Sequence, residues 1–299
     1  EEIMHQQFGI PFLPMKRPNW DKFAGADYTI GSDVLMPDGR IIQQPTTHLL
    51  GQNFAKPFNL KFRDKDGKED YVWQTCYGPA ISRILASVIS THGDNKGLIL
   101  PFCIAPIQIV IIPIFDIKNK DKIIKEAEKI KSKLESLNLK TELDASEKRP
   151  GEKYYEWELK GVPFRLEIGE KEIKEKKLTL FTRDTGKKEK ISIVSLSKLK
   201  ELGKEFDKRL LKKADNFMQG KIINCKTKQE IKKTIEDKKI ARVNFCSIEK
   251  DGEKCAEIIE KQINAEVRGI LGNKNEKPTG SCVICNKKAE VVAYIGRSY

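Results

Sequence analysis

The fold of the first part of the chain can be predicted from residues 28–44, which read YTIGSDVLMPDGRIIQQ. Tyr28–Met36 and Arg40–Gln44 are rich in residues typical of strands. The Pro-Asp-Gly run at 37–39 between them favours a tight turn. Two strands joined by so short a turn must be antiparallel. The stretch therefore predicts an antiparallel sheet and excludes a doubly wound parallel sheet for this part of the chain.

A second hairpin and a helix follow along the chain. Leu60–Phe62 and Tyr71–Gln74 read as short strands, separated by a turn that contains Asp66-Gly67. From Ile81 to Ile89 the apolar residues recur at the three- and four-residue spacing of an amphipathic helix. We expect this helix to pack on the antiparallel sheet.

The middle of the chain alternates strand and helix. Ile107–Ile112 is a continuous apolar run suited to a strand buried on both faces. A helix with one apolar stripe is predicted between Ile123 and Leu137, followed by strands at Val162–Ile168 and Leu178–Thr182. This order predicts a small α/β domain with a mainly parallel core.

The whole pattern predicts a multidomain chain that combines the α+β and α/β classes. We expect three domains, at residues 1–105, 106–195 and 196–299. The last one begins with a helix around Leu199–Leu211 and ends in a cysteine-rich α+β segment.

The charge of the chain is concentrated in its middle. Nearly all of the formal net charge of +13 falls between Lys118 and Ile240. Such a field attracts a polyanion, and RNA is the obvious candidate. The alternative is a lysine-rich composition with solvated helix faces, as in heat-adapted proteins.

The sequence also indicates the cellular compartment in which we expect the protein. The N-terminal residues lack the basic and apolar regions of a signal peptide. The most apolar stretch, Leu98–Phe115, contains Pro101, Pro106 and Pro113 and does not read as a membrane helix. Seven cysteines, an odd number, indicate a reducing compartment rather than a disulfide framework. We expect a cytoplasmic protein without a membrane partner.

Four of the cysteines have the spacing of a metal site. Cys246 and Cys255 precede the Cys-x-x-Cys pair Cys282 and Cys285. Four thiolates around one ion form the closed tetrahedral site of a structural zinc. Four unrelated buried thiols, or a redox-active Cys-x-x-Cys pair, are the alternatives.

Two further groups of residues favour a ligand site. Gln43, Thr46 and His48 could line a polar pocket at the end of a strand, although a lone histidine is more often structural. Ser82 and Arg83 lie in the first turn of the predicted helix, where an arginine can hold an anionic phosphate. An arginine exposed at a helix start is the alternative.

In order along the chain, these and neighbouring motifs resemble the prolyl-tRNA synthetases of the archaeal and eukaryotic-like type. The stretch from Arg149 to Pro163, which reads RPGEKYYEWELKGVP, is nearly identical to a signature of that family. The other matching stretches are Trp20–Ala26, Met36–Arg40, Thr46–Phe54, Trp73–Arg83 and His92–Leu98.

The resemblance implies a fold and a site. The first domain would be part of a class II catalytic sheet that includes motif 3, the second an anticodon-binding α/β domain, and the third a zinc-binding module. Gln43 and Thr46 would bind ATP and Mg²⁺, His48 would lie in the proline pocket, and Arg83, with Ser82 beside it, would contact ATP phosphates. Arg83 and His48 would thus be the catalytic residues. For the tRNA anticodon the implied candidates are Arg149, Tyr154, Trp157, Lys160 and Arg183.

The resemblance also implies a missing part. Motif 1, which builds the dimer interface of the family, and motif 2 have no match in the chain. We expect the C-terminal portion of a synthetase that activates proline with ATP and transfers it to tRNA(Pro). The complete enzyme would be a homodimer, and a separate chain could supply the missing motifs. The alternatives are a non-catalytic tRNA-binding paralogue and another class II synthetase with the same anticodon domain.

Overall fold

The computed structural model describes residues 2–299. These residues form two compact units. The first contains residues 11–87 and 216–299, and the second contains residues 2–10 and 88–215. Each unit has a β-sheet with helices packed against it.

The described part of the chain contains fifteen strands and seven α-helices. The strands are β1 (Leu13–Lys16), β2 (Tyr28–Leu35), β3 (Arg40–Gly51), β4 (Lys61–Arg63), β5 (Glu69–Tyr71), β6 (Gln74–Gly78), β7 (Ile109–Pro113), β8 (Thr141–Leu143), β9 (Phe164–Ile168), β10 (Lys177–Thr182), β11 (Lys188–Ser192), β12 (Ile222–Cys225), β13 (Ile240–Phe245), β14 (Glu266–Leu271) and β15 (Val291–Ser298). The helices are α1 (Ile81–His92), α2 (Lys120–Ser136), α3 (Pro150–Leu159), α4 (Glu170–Glu175), α5 (Lys198–Gln219), α6 (Lys228–Glu236) and α7 (Glu253–Ile263). Within residues 2–299, no helix is both long and apolar enough to cross a lipid bilayer.

An eight-stranded sheet forms the centre of the first unit, in the order β12-β13-β15-β14-β1-β2-β3-β6. The predicted hairpin is confirmed: β2 and β3 are antiparallel, and the N–H of Met36 donates to the carbonyl oxygen of Arg40 at 2.8 Å. Gly39 adopts a φ of +88°, a conformation that glycine tolerates best. The second strand of the hairpin extends beyond its predicted end at Gln44, to Gly51.

The C-terminal strands belong to this same sheet. β14 pairs with β1, and β15 pairs with β13, β14 and the start of β3. Residues of the predicted domains 1–105 and 196–299 therefore share one compact unit. Strand neighbours so far apart in sequence leave no local pattern from which this could be predicted. As boundaries of functional domains, 105 and 195 stay predictions.

A five-stranded sheet forms the second unit, in the order β11-β10-β9-β7-β8. β7 pairs in parallel with β8 and β9, and all five of its residues are buried. Helix α2 packs its buried stripe, from Ile123 to Leu134, against this core, and Phe206 of α5 completes it. The α/β architecture predicted for the middle of the chain is confirmed. The core is parallel only around β7, since β10 pairs antiparallel with both β9 and β11.

Helix α1 is where it was predicted, but its apolar residues do not all face the sheet. Val88 is buried, whereas Ile81, Leu85 and Ile89 are 75%, 57% and 40% exposed. These three residues are four apart and therefore form one stripe on the open side of the helix. The helix does contact the sheet, as expected, through Ser87, whose hydroxyl accepts from Gln44 of β3. The exposed stripe is not the side that packs there.

A buried arginine fixes the segment that follows α1 within the second unit. Arg183 donates two hydrogen bonds to the carboxylate of Asp94, at 2.8 and 2.6 Å, and a third to the carbonyl oxygen of Glu158 at 3.2 Å. The hydrogen bonds from Arg183 are the main reason that the pKa of Asp94 falls to about 2. The pKa of an unfolded aspartate is about 3.9. The pair therefore stabilises the fold above that pH, and its contribution is lost as the pH falls toward the folded-state pKa.

We predict that Asp94→Asn lowers the free energy of unfolding by about 1–3 kcal/mol at pH 7, because it leaves the buried Arg183 guanidinium without its counter-charge. Between about pH 4 and pH 2 the difference between wild type and variant should shrink, since the wild-type carboxylate becomes protonated there. Thermal melts across this pH range measure both effects. Glu128→Gln, the same carboxyl-to-amide change on an exposed face of α2, is the control. Equal melting temperatures of wild type and Asp94→Asn at pH 7 would contradict the prediction.

Candidate functional site

The predicted site residues of β3 lie where its pairing with β2 is irregular. Thr46 stands opposite Gly31, and Gln43 stands opposite Asp33. Between these two pairs, β3 has one residue more than β2, which is a β-bulge. The bulge includes Pro45, which has no N–H to donate to a neighbouring strand and is tolerated at such a position.

The bulge places Gln43, Thr46 and His48 on one face of the sheet. Their partners on β2 are residues 33, 31 and 29, which are spaced by two and therefore point to the same side. Directly opposite residues share a face, so the three β3 side chains lie on that side as well. Without the bulge, residues 43 and 46 would point to opposite faces.

His48 lies in a small aromatic and polar environment. Its Nδ1 shares a hydrogen bond with the hydroxyl of Thr29 at 2.8 Å. The ring of Phe23 lies 4.8 Å from its own, centre to centre, and Phe54 adjoins Phe23. Desolvation lowers the pKa of His48 below its ordinary value. A neutral imidazole beside aromatic rings suits a small, partly apolar ligand.

The structure brings Arg83 to Gln43. Nη1 of Arg83 donates to the main-chain carbonyl oxygen of Gln43 at 3.1 Å, and the residue as a whole is exposed. Ser82 is exposed in the same helical turn. Arg83 therefore presents free N–H donors beside the β3 residues, as binding of a phosphate requires.

Two residues that the sequence analysis did not single out hold this arrangement. The side-chain amide of Gln44 donates to the carbonyl oxygen of Arg83 at 3.1 Å and to the hydroxyl of Ser87 at 2.5 Å. On the other side, Arg17 donates to Oε1 of Gln43 at 2.8 Å. Gln44 and Arg83 are 39 positions apart in the sequence, and Arg17 and Gln43 are 26 apart. No local sequence pattern could therefore reveal these contacts.

Three of the predicted anticodon residues are engaged inside the second unit. Trp157 is buried and donates from Nε1 to Asp144 at 2.8 Å. The ring of Tyr154 is covered by the guanidinium of Arg165, 3.9 Å from its centre. Arg183 is buried in the ion pair described above.

The other two anticodon candidates are exposed. Arg149 precedes α3, and Lys160 follows it with its ammonium group 4.3 Å from the centre of the Trp157 ring. Tyr155, which the sequence analysis did not single out, is 75% exposed on the same helix. Helical spacing could have identified it, because positions 154 and 157 face inward and 155 then points outward.

The four predicted cysteine ligands come together in the first unit. Their sulfur atoms all lie within 4.8 Å of one another. Cys246 directly follows β13, Cys255 lies in α7, and Cys282 and Cys285 belong to a turn before β15. In that turn the N–H of Cys282 donates to the carbonyl oxygen of Lys287 at 2.7 Å. The geometry fits one tetrahedral thiolate-bound ion.

The electrostatics of the cluster favour a cation. Burial and the neighbouring Cys282 raise the pKa of Cys246 to about 11. Burial also raises the pKa of Cys255. Burial acts in the same direction on Cys285, but hydrogen bonds to its sulfur outweigh burial and lower its pKa. A divalent cation stabilises the thiolate form of all four cysteines.

Comparisons with known proteins agree with this geometry. A sequence profile described as "Anticodon binding domain" matches residues 108–202, and one described as "Prolyl-tRNA synthetase, C-terminal" matches residues 228–299. The proline–tRNA ligase of Methanococcoides burtonii is 42% identical over 296 residues, which are 99% of this chain and 60% of the relative. That of Thermofilum pendens is 40% identical over 302 residues, covering 100% of this chain and 62% of the relative. The chain spans about three fifths of the length of these relatives.

Solved structures are similar over the whole chain. The Giardia lamblia prolyl-tRNA synthetase in complex with prolyl-adenylate has a TM-score of 0.93 and 34% identity, and the match covers 100% of this chain and 63% of that one. The Cryptosporidium parvum enzyme complexed with halofuginone and AMPPNP has a TM-score of 0.91 and 33% identity, covering 100% and 62%.

Proposed function

Because this chain belongs to the prolyl-tRNA synthetase family, we propose that it supplies part of the machinery that attaches proline to tRNA(Pro). The observation that carries the proposal is the grouping of Gln43, Thr46 and His48 on one face of β3, with Arg83 bonded to Gln43. The same chain contains the block that matches an anticodon-binding domain. The reaction has two steps: ATP activates proline as prolyl-adenylate, and the prolyl group then passes to the 3′ end of the tRNA.

The site residues suit this chemistry without a covalent enzyme intermediate. The exposed guanidinium of Arg83 can donate to phosphate oxygens and stabilise charge that develops on them. Thr46 offers a hydroxyl between Gln43 and His48 for the nucleotide. His48, with Phe23 beside it, forms an aromatic wall for the proline ring. Positioning and electrostatic stabilisation are the effects that such groups provide.

For tRNA, the proposed contact surface is the basic second unit. The exposed Arg149, Tyr155 and Lys160 around α3 can stack on bases or pair with phosphates. For Tyr154, Trp157 and Arg183 we propose a supporting function, since their polar or aromatic groups already contact protein. The location that follows from a role with tRNA and from the seven cysteines is the cytoplasm.

A further polypeptide segment is proposed to complete the catalytic site. β6 is an edge strand of the eight-stranded sheet. Tyr77, within β6, and Trp73, just before it, are 63% and 70% exposed. The apolar stripe of α1 begins in the same unit, where Ile81 and Leu85 are exposed. We propose that this edge strand is covered by a further segment of polypeptide. That segment would correspond to the two fifths of the relatives' length that this chain does not match. It would pair with β6, cover the stripe and contribute the remaining site residues and the dimer interface, on the same or on a separate chain.

The four cysteines are proposed to hold one structural zinc ion, because the site has four protein ligands and no open position. We predict one zinc per chain in protein purified without chelators. Cys282→Ser should release the metal and lower the melting temperature, since metal binding is coupled to folding of its site. Elemental analysis and thermal melts measure these effects, with the exposed Cys76→Ser as the control. Protein without zinc would contradict the prediction.

We predict that the isolated 299-residue chain binds tRNA but does not catalyse proline-dependent pyrophosphate exchange. Binding should weaken steeply with salt, because lysines and arginines release counterions from the phosphates they contact. Addition of the missing segment, fused or in trans, should restore exchange. Continued absence of exchange with tRNA binding intact would favour a non-catalytic tRNA-binding protein instead. Exchange by the chain alone would show that the site is already complete.

Arg83→Ala in the completed enzyme tests the assignment of the phosphate contact. Loss of a charged bidentate donor usually costs about 2–4 kcal/mol of transition-state stabilisation, or roughly 30- to 1,000-fold in rate. Lysine should rescue poorly because a point charge does not reproduce the planar guanidinium. Affinity for tRNA and the melting temperature should change little. A nearly normal exchange rate would remove Arg83 from the active site.

A further inference from the structure

Beneath the candidate site, two arginines clamp one buried aspartate. Asp33 is 1% exposed, and its carboxylate accepts hydrogen bonds from Arg17 at 2.8 and 2.5 Å and from Arg268 at 2.9 and 3.3 Å. Arg17 also donates to the carbonyl oxygen of Arg268 at 2.9 Å. Burial alone would raise the pKa of Asp33, but the two guanidinium groups outweigh it and lower the pKa. The three side chains therefore form a rigid ionic cluster.

The cluster extends to Gln43 through a single hydrogen bond. Nη2 of Arg17 lies 2.8 Å from Oε1 of Gln43. A guanidinium group has donors only, so the amide atom that faces it must be the oxygen. The Nε2 of Gln43 is thereby turned away from Arg17, and it carries two N–H donors.

The contact between Arg17 and Gln43 depends on a glycine at position 31, which has no side chain to occupy the space of the guanidinium. Gly31 lies on the same face as Gln43, and a Cβ atom built on it would come within 2.6 Å of Nη2 of Arg17. Any larger residue at position 31 would displace the guanidinium from its place over the strand. Gly31 does not have a positive φ, so the space above it, and not its backbone conformation, accounts for the glycine.

We propose that the clamp of Arg17, Asp33 and Arg268 fixes Gln43 as an N–H donor to an oxygen of the nucleotide, rather than as an oxygen ligand of Mg²⁺. This proposal rests on the proposed function, in which β3 binds ATP. Arg17 and Arg268 are positioning residues, since they act through Gln43.

The donor set at Gln43 fits Mg²⁺ poorly for two reasons. Mg²⁺ takes oxygen ligands, and one of the two lone pairs on the only oxygen of the Gln43 side chain already accepts from Arg17. An ion bound to that oxygen would also lie close to a buried positive charge, which repels it. A phosphoryl or ribose oxygen, by contrast, is an acceptor and suits the outward Nε2.

The clamp also connects the C-terminal strand β14 to the candidate site. Arg268 lies on β14, and its Nη1 donates to Glu266 on the same strand at 2.6 Å. Through Asp33 and Arg17, the position of β14 is transmitted to the amide of Gln43. The orientation of a nucleotide-binding side chain on β3 thus depends on a strand more than 200 positions later in the chain.

The first test compares Gln43→Glu with Gln43→Ala in the completed enzyme, by pyrophosphate exchange at varied ATP and Mg²⁺. If Gln43 donates to the nucleotide, both variants should raise the KM for ATP at least about tenfold and leave the Mg²⁺ half-saturation unchanged. Glutamate should be no better than alanine, because a carboxylate has no donor. A glutamate variant with near-normal KM for ATP, or a Mg²⁺ half-saturation shifted in either variant, would overturn the proposal.

The second test asks whether Arg17 acts through Gln43. Arg17→Lys should raise the KM for ATP in the wild-type background and have no further effect in Gln43→Ala. Arg242→Lys, an arginine paired with Glu276 away from β3, is the matched control. Equal effects of Arg17→Lys in both backgrounds would indicate a merely structural residue and overturn the proposal. If Gln43→Ala and Arg83→Ala both leave exchange normal, the proposed function itself has failed.

A third measurement needs only the isolated chain. In its ¹⁵N-labelled form, the side-chain amide signal of Gln43, identified by its loss in Gln43→Ala, should move in Arg17→Lys and in Gly31→Ala but not in Arg242→Lys. Zinc content and melting temperature establish that each variant is folded. An unmoved Gln43 signal in folded Arg17→Lys would overturn the orienting contact regardless of activity.

Discussion

The buried carboxylate of Asp33 is the constraint on which the first unit depends. A charge so completely removed from water must be neutralised and hydrogen-bonded. Arg17 meets this requirement from the end of β1, and Arg268 meets it from β14. Strands from opposite ends of the sequence must therefore stay neighbours in one sheet. Removal of Asp33 would leave two buried guanidinium groups without their shared counter-charge, so the cluster specifies this arrangement more strongly than it adds net stability.

The separation in sequence between interacting residues decides which features of the fold could be predicted. The β2–β3 hairpin, helix α1, the parallel core of the second unit and the four-cysteine cluster follow from turn residues, apolar periodicity or ligand spacing, which are local signals. The motifs also revealed the similarity to prolyl-tRNA synthetases. The sharing of one sheet by residues 11–87 and 216–299 could not be predicted, because pairing of β1 with β14 depends on contacts far apart in sequence.

The sequence motifs gave the candidate residues of the site, but not the geometry that brings them together. Gln43, Thr46, His48 and Arg83 were recognisable by family motif, yet strict strand alternation would have placed residues 43 and 46 on opposite faces. For the anticodon candidates, the sequence gives the residue types but not the contacts that the side chains make. Trp157 and Arg183 have residue types suited to RNA, but a sequence motif does not distinguish a side chain that contacts a ligand from one that supports the fold.

The bulge in β3 gives two adjacent glutamines different tasks. Gln44 turns toward α1, where its amide holds the carbonyl oxygen of Arg83 and the hydroxyl of Ser87. Gln43 turns to the other face, where Arg17 holds its oxygen, while its own carbonyl oxygen accepts from Arg83. Arg83 is thus tied to β3 through both glutamines. A change in the register of β2 and β3 would break these contacts together, so the site's geometry is as firmly determined as the sheet itself.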